Sequence, residues 1–253
     1  MTAVDVRQHK ADYGYDGDYR AIPAPVVAGI TAATSVALLA SAARSLVRGK
    51  PAAAAVTGGT GTSLVTTAAL FIRTTRVGKF EAWADILKNL ELRGDERLLD
   101  MGCGRGAVLL AAAKLLPNGR ATGVDIWRAD QTDNSQENTL RNAEVEGVAD
   151  RIDVQTADIT DLPFDDESFD VIVSSLVVHN IPGADNRAKA ISEAARVLRP
   201  GGKLALVDIF YTNHYARQLR ELGWTDTRRR SLGWRMWWGP GMGTHLITAT
   251  KAA

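Results

Sequence analysis

The chain has 253 residues, enough for one large domain or for an ordinary domain with an appended segment. Apolar residues make up 45% and charged residues 23%, so we expect a folded core. The net charge of +1 argues against nucleic acid as a partner. The single cysteine excludes an internal disulfide, and no Cys/His cluster has the spacing of a metal site.

Two uncharged stretches occupy the N-terminal third, at residues 21–43 and 51–72, and a basic turn at 44–50 separates them. Each is as long as the roughly 20 residues that a helix needs to cross a bilayer. We therefore predict an apolar helical hairpin over 21–75 that anchors the chain in a membrane, behind a polar segment at 1–20. A buried or oligomer-forming hairpin is the alternative, because runs rich in Ala and Gly are only mildly hydrophobic.

From Arg76 onward, helical and extended patterns alternate. Helices are predicted at 80–90, 107–116, 135–146, 184–198 and 215–222. Strands are predicted at 97–101, 121–126, 152–156, 169–178 and 203–210, and near 227–234 and 244–251. This alternation predicts an α/β fold, a doubly wound and mostly parallel seven-stranded sheet with helices on both faces. Such a sheet binds its ligands at the carboxyl ends of the strands.

A glycine-rich loop, with Gly102, Gly104 and Gly106 in LLDMGCGRG, joins the first predicted strand to a helix. Glycines let a ligand approach the backbone, and the start of a helix can hold a carboxylate or a phosphate. The same residues with Ala107 also satisfy the dinucleotide-binding pattern G-x-G-x-x-G/A. The loop alone therefore leaves two nucleoside cofactors open, beside a turn that binds no ligand.

Acidic residues end the next two predicted strands. Asp125 follows Gly123-Val124, where a carboxylate can accept hydrogen bonds from both hydroxyls of a ribose. This position fits a nicotinamide cofactor as well, since such domains place an acid about 20 residues after the glycines. Asp158 ends the third strand. An exposed acid at a strand end, with no ligand, is the alternative for Asp125.

Four segments occur in a fixed order: LDMGCGRG, GVDI, ADITDLPFDDESFDVIVSSLVVHNIP and RVLRPGGKLALVD. Together they resemble the class I S-adenosylmethionine-dependent methyltransferases, over roughly residues 79–251. The resemblance implies a methyltransferase domain at 76–253 that uses S-adenosylmethionine and a small-molecule or lipid-like acceptor. Two alternatives to an active methyltransferase remain. One is a membrane-tethered module that binds S-adenosylmethionine without turnover, and the other, weaker one is an NAD-binding oxidoreductase.

The resemblance also implies a cofactor role for each matching residue. Asp100 and the glycine loop would hold the methionine end, Asp125 the ribose, and Asp158 the adenine amino group. Ile126 and Trp127 would pack against the adenine ring. The complete implied set is Asp100, Gly102, Cys103, Gly104, Gly106, Asp125, Ile126, Trp127, Asp158, Ile159 and Ser174.

His179 follows the fourth strand, near the expected position of the methyl group. With an ordinary histidine pKa of about 6.5 it could act as a catalytic base at neutral pH. The alternative is a histidine that only hydrogen-bonds the loop or the cofactor.

We expect the chain to associate with a membrane through residues 21–72. This location, and no substrate motif, is the reason to expect an apolar acceptor. Because the cofactor is cytosolic and a hairpin keeps both of its ends on one side, the methyltransferase domain is expected in the cytoplasm.

Overall fold

The structure, a computed structural model, describes residues 5–19 and 21–252. Residues 1–4 and Arg20 of the predicted polar segment, and Ala253, lie outside the described residues. The strands are β1 (Arg97–Met101), β2 (Arg120–Asp125), β3 (Ile152–Thr156), β4 (Phe169–Ser175), β5 (Leu198–Asp208), β6 (Arg228–Ser231) and β7 (His245–Thr250). The helices are α1 (Ala24–Val47), α2 (Pro51–Arg73), α3 (Lys79–Asn89), α4 (Ala107–Ala113), α5 (Gln136–Glu146), α6 (Ala184–Val197) and α7 (Thr212–Glu221).

The seven strands form one sheet in the order β3-β2-β1-β4-β5-β7-β6. Neighbouring strands from β3 to β5 run parallel, whereas β7 is antiparallel to both β5 and β6. This confirms the predicted α/β fold with a seven-stranded, mostly parallel sheet. The chain order reverses between β1 and β4, and a sheet of this kind opens a crevice for ligands at that point.

The core forms two layers, one on each face of the sheet. Successive residues of a strand point to opposite faces, so Leu98 packs with α3 and α4, while Leu99 packs with α6 and α7. In β4, Val171 and Val173 join the first layer and Ile172 joins the second. Burial on both faces explains why these strands read as continuous apolar runs.

Two of the differences between predicted and observed strand limits have a clear physical cause. The predicted strand 169–178 ends at Ser175, because Leu176 adopts a φ of 62° that extended pairing does not allow. At β5, Pro-Gly-Gly was expected to separate helix from strand, yet the strand begins at Leu198. Pairing with β4 shifts register there, and Gly201 and Gly202 exchange backbone hydrogen bonds with Lys251. A bulge therefore accommodates the turn residues.

The predicted N-terminal hairpin is present as α1 and α2, which pack along each other. At 24 and 23 residues, each is about 35 Å long, against a bilayer core of about 30 Å. By length and composition both helices could cross a membrane, and only 11% of the most apolar part of α1 is buried. A Cβ added at Gly61 would lie 3.1 Å from Leu39, so small residues let the helices approach closely.

The hairpin joins the sheet domain without a break, since a π-helical turn (Thr74–Gly78) links α2 to α3. On the other side of the hairpin, residues 5–19 cross the same domain. Val6, Ala11 and Tyr13 belong to the hydrophobic core beside α3. The segments that precede and follow the hairpin in sequence therefore pack into the same hydrophobic core. The predicted domain boundaries stay a prediction.

Candidate active site

A cavity of about 710 Å³ lies at the carboxyl ends of the strands, within the usual range of about 300–1,000 Å³ for ligand sites. Asp100 of β1, Asp125 of β2 and Asp158, which follows β3, all line it. Parallel pairing brings these three strand ends to one edge of the sheet. The three acids that the sequence singled out thus surround one cavity. Other members of the implied set on its wall are Gly102, Cys103, Gly104, Ile126 and Ile159.

The glycine loop forms part of the wall because its backbone takes conformations that other residues avoid. Gly102 has a φ of 79°, and a Cβ there would lie 2.3 Å from Val177. Gly104 has a φ of 50°, and a Cβ there would lie 2.6 Å from the Gln131 side chain. These positions leave bare backbone facing the cavity, as close contact with a ligand requires.

Asp100 is the most unusual group of the site. Its side chain is buried, and neither carboxylate oxygen has a hydrogen-bond partner within residues 5–19 and 21–252. Burial raises the pKa of Asp100 to about 8, and the nearby charge of Asp125 contributes to the rise. A buried carboxylate of this kind is stabilised by a cationic ligand group, such as the ammonium of an amino acid.

The other two acids are fixed by the backbone around them. Asp125 accepts hydrogen bonds from the backbone N–H of Gly104 at 2.9 Å and of Trp127 at 2.6 Å. Asp158 accepts from both the backbone N–H and the hydroxyl of Thr160 through one oxygen. Both carboxylates are therefore held in place at the edge of the cavity before any ligand arrives.

Three residues of the implied set lie beside the cavity and not on its wall. Gly106, at a φ of 87°, caps the start of α4. The Trp127 indole N–H donates to Thr156, and the buried Ser174 hydroxyl donates to the Met101 carbonyl. Strand alternation turns the next residue, Ser175, toward the cavity instead, where it accepts from the Trp83 indole N–H at 3.0 Å.

His179 lines the cavity and is paired with an acid that the sequence did not single out. Its Nδ1 lies 2.5 Å from an oxygen of Asp208, a fully buried residue at the end of β5. Asp208 also accepts from the backbone N–H groups of His179 and Ile209. The contact does not have hydrogen-bond geometry, but a carboxylate this close favours a proton on Nδ1 and leaves Nε2 as the nitrogen that Asp208 does not contact.

The remaining wall includes the Lys79–Asp16 ion pair and polar loop residues, together with a large apolar part. The apolar part lies toward β4, β5 and β7, and its larger residues are Phe71, Trp83, Ile209, Trp238 and Met242. Phe71 belongs to the hairpin helix α2, and its ring meets the Trp238 ring edge-on at 5.9 Å. In the sequence, Phe71 belongs only to the apolar hairpin, because its place on the wall depends on long-range packing. The cavity thus has a polar side under β1, β2 and β3 and an apolar side opposite.

Comparison with known proteins identifies the central part of the chain. Residues 99–206 match the family described as "Methyltransferase domain". Sterol 4-C-methyltransferase of Caenorhabditis elegans is 35% identical over 136 residues, which are 54% of this chain and 38% of that protein. The ubiquinone/menaquinone biosynthesis C-methyltransferase of Roseobacter denitrificans is 32% identical over 133 residues, which are 52% and 50%. The chain thus spans half or less of the length of these relatives.

Solved structures support the fold. Geranyl diphosphate methyltransferase in complex with SAM superimposes with a TM-score of 0.56 at 17% identity, covering 74% of this chain and 90% of that one. The [4+2]-cyclase SpnF gives 0.55 at 20% identity, covering 67% and 79%. At these identities the likeness shows the fold alone. Residues 99–206 are thus a methyltransferase domain of the S-adenosylmethionine-dependent kind, and they lie within the seven-stranded sheet.

Proposed function

We propose that this chain transfers the methyl group of S-adenosylmethionine to a small, lipid-soluble acceptor at a membrane surface. One observation carries the proposal: three strand-end carboxylates, a glycine loop and a histidine backed by a buried aspartate lie around one cavity, and large apolar side chains line its other side. The polar side suits the charged nucleoside, and the apolar side suits the acceptor.

The residues on the polar side fit this cofactor. Asp100 is a buried carboxylate without a hydrogen-bond partner in the described chain, and the cofactor's methionine end carries an ammonium that would compensate it. Gly102 and Gly104 offer bare backbone beside that position. Asp125 would accept from the ribose hydroxyls, and Asp158 would accept from the adenine amino group. When bound, the cofactor supplies a methyl group already activated by a sulfonium.

The protein's part in such a transfer is alignment of the two reactants. Orientation of this kind can supply about 7–11 kcal/mol of rate enhancement. Where the acceptor must lose a proton, Nε2 of His179 would take it, while Asp208 stabilises the imidazolium that forms. The apolar wall excludes water from the methyl group and so favours the acceptor over hydrolysis.

The membrane location is supported by α1 and α2. Exposed apolar side chains run along both helices, among them Ile30, Val36, Val56 and Val65. Contiguous apolar surface of this extent marks an interaction with a membrane or a partner. We place the sheet domain on the cytoplasmic side, where S-adenosylmethionine is available. Two relatives are named for a sterol and for ubiquinone/menaquinone, which are apolar molecules.

The test uses the full chain in detergent micelles. Calorimetry should show binding of S-adenosylmethionine, and incubation with a membrane lipid extract should convert it to S-adenosylhomocysteine. Binding without turnover in any extract would instead support a tethered cofactor-binding module. Absence of binding to S-adenosylmethionine, together with binding of NADH, would overturn the proposal in favour of an oxidoreductase.

A further inference from the structure

Phe71 belongs to two parts of the molecule at once. It lies in α2, within a turn of the end of that helix, and it also lines the cavity. Its ring packs edge-on against Trp238, which is itself on the cavity wall. The hairpin is therefore not a separate tether, because it contributes part of the wall of the candidate active site.

The base of the hairpin has the residue types found at a membrane–water interface. The guanidinium of Arg73 lies 3.9 Å from the ring centre of Trp234, whose side chain is 58% exposed. Thr74 donates to the backbone carbonyl of Trp237 at 2.8 Å, which fixes the hairpin to this segment. Tryptophan and arginine concentrate where a membrane protein leaves the hydrocarbon core. Phe71 lies less than one helical turn from this level, toward the apolar stretch of α2.

The strand-end acidic residues of the cavity wall lie at one half of the sheet, and large apolar residues lie at the other half. Asp100 lies in β1, Asp125 ends β2 and Asp158 follows β3, and these three strands form one half of the sheet. His179 follows β4 near the middle, and beyond it Ile209 follows β5 while Trp238 and Met242 precede β7. A molecule that placed its reactive group near His179 would extend its remaining part along Trp238 and Met242 toward Phe71.

We infer that Phe71, Trp238 and Met242 form a subsite for the apolar tail of the acceptor, and that the acceptor reaches it from the bilayer along the base of the hairpin. The acceptor class is a membrane-soluble molecule with a long hydrocarbon tail and a nucleophilic head group. This inference rests on the proposed function only for the transfer of the methyl group to the head group. The binding of the tail can be measured without any methyl transfer.

The experiment uses the full chain in vesicles of dioleoylphosphatidylcholine without S-adenosylmethionine. The probe is a hydroquinone with a decyl chain that carries a photoreactive diazirine at its far end. Peptide mass spectrometry after illumination should find label at Trp238 and Met242, as well as on lipid-facing residues such as Ile30. Excess unlabelled decylhydroquinone should suppress labelling of Trp238 and Met242 and leave labelling of Ile30 unchanged. Label confined to the lipid-facing residues of the hairpin would overturn the inference.

A matched pair of variants sharpens the test. Phe71→Ala removes part of the proposed subsite, whereas Ile72→Ala alters the adjoining, 49% exposed residue of the same helix. Because Phe71→Ala removes one partly buried aromatic ring from the subsite, the competitor concentration that halves Met242 labelling should rise roughly tenfold in this variant. Ile72→Ala should leave it unchanged, and equal behaviour of the two variants would contradict the subsite.

Calorimetry with S-adenosylmethionine on the same samples separates this inference from the proposed function. A chain that binds the cofactor but shows no competed label retains its proposed function and loses the subsite. Competed label without cofactor binding preserves the tail site and removes the methyl-transfer assignment. Cofactor binding by Phe71→Ala also verifies that this variant is folded.

Discussion

Nδ1 of His179 lies 2.5 Å from a carboxylate oxygen of the fully buried Asp208. Asp208 is held in turn by two backbone N–H groups, so its carboxylate stays beside Nδ1 and favours a proton there. A pair of this kind can take the proton of an acceptor that loses one, whereas transfer to an acceptor that loses none does not require it. The pair therefore allows the acceptor's chemistry to be tested by mutation.

His179→Ala should lower kcat by about 10²- to 10⁴-fold if the acceptor loses a proton, because a general base is removed. Asp208→Asn should also lower kcat, since the amide no longer fixes the tautomer. Binding of S-adenosylmethionine should stay within twofold in both variants. Single-turnover kinetics and calorimetry provide the two measurements. An unchanged kcat in His179→Ala would assign the histidine a structural role.

Asp125→Ala should weaken binding of S-adenosylmethionine roughly ten- to a hundredfold, because hydrogen bonds to a charged group contribute about 1.5–3 kcal/mol each. The matched control is Asp133→Ala, which alters a nearby acid whose side chain is 81% exposed and off the cavity wall. Calorimetry on both variants measures the difference. Equal affinities would remove the ribose assignment of Asp125.

Asp100 should make cofactor binding release a proton. Its pKa of about 8 means that it is largely protonated at pH 7, and an ammonium beside it would favour the ionised form. The buffer takes up the released proton, so its heat of ionisation adds to the measured binding enthalpy. At pH 7 the enthalpies in phosphate and in Tris should therefore differ by the difference between the two heats of ionisation, multiplied by up to about one proton. Asp100→Asn should abolish this buffer dependence, and a wild-type enthalpy independent of buffer would contradict the assignment.

The same group sets a pH dependence of stability. Its pKa is raised in the folded chain from an ordinary value near 4, so the unfolded chain loses this proton first as pH rises. Its favourable contribution is present below about pH 4 and is lost as the pH approaches 8. Thermal unfolding should show Asp100→Asn gaining stability relative to wild type across this interval. A constant difference between the two chains would contradict the raised pKa.

The hairpin gives a prediction that does not depend on catalysis. Val36→Arg places a charge in the middle of α1 at a position 67% exposed, where insertion should cost about 2.5–3.5 kcal/mol. Val47→Arg places the same charge at the helix end beside Arg48 and should be tolerated. After an alkaline wash of cell membranes, wild type and Val47→Arg should stay in the pellet and Val36→Arg should be partly released. Full release of the wild type would exclude a spanning anchor.

The sequence predicted well whatever depends on local pattern. The strands around Asp100 and Asp125 combine a short apolar run with a turn, and both features are visible within ten residues. Asp208 was missed because its partner, His179, lies 29 positions away and meets it only through the pairing of β4 with β5. Phe71 was missed for a similar reason, since its contact with Trp238 joins opposite ends of the chain.

The polar appearance of the first residues concealed their packing. Tyr13 and Ala11 are buried beside α3, and Glu146 accepts hydrogen bonds from both, a relationship that spans more than 130 positions. A segment with this composition is typical of exposed chain, and only the α5 carboxylate that satisfies its polar groups makes burial favourable. Patterns within a short window cannot reveal a partner so distant in sequence.

The two ends of the hairpin are fastened at a common point. The ammonium of Lys79, one π-helical turn after α2, lies 2.9 Å from the carboxylate of Asp16, which precedes α1. A protein anchored by a single helix can rotate about the axis of that helix, whereas one anchored by two adjoining helices keeps a fixed orientation to the membrane. Embedded as proposed, the part of the cavity wall at Phe71 would keep one orientation toward the bilayer, so an acceptor diffusing in the membrane would approach it from one side.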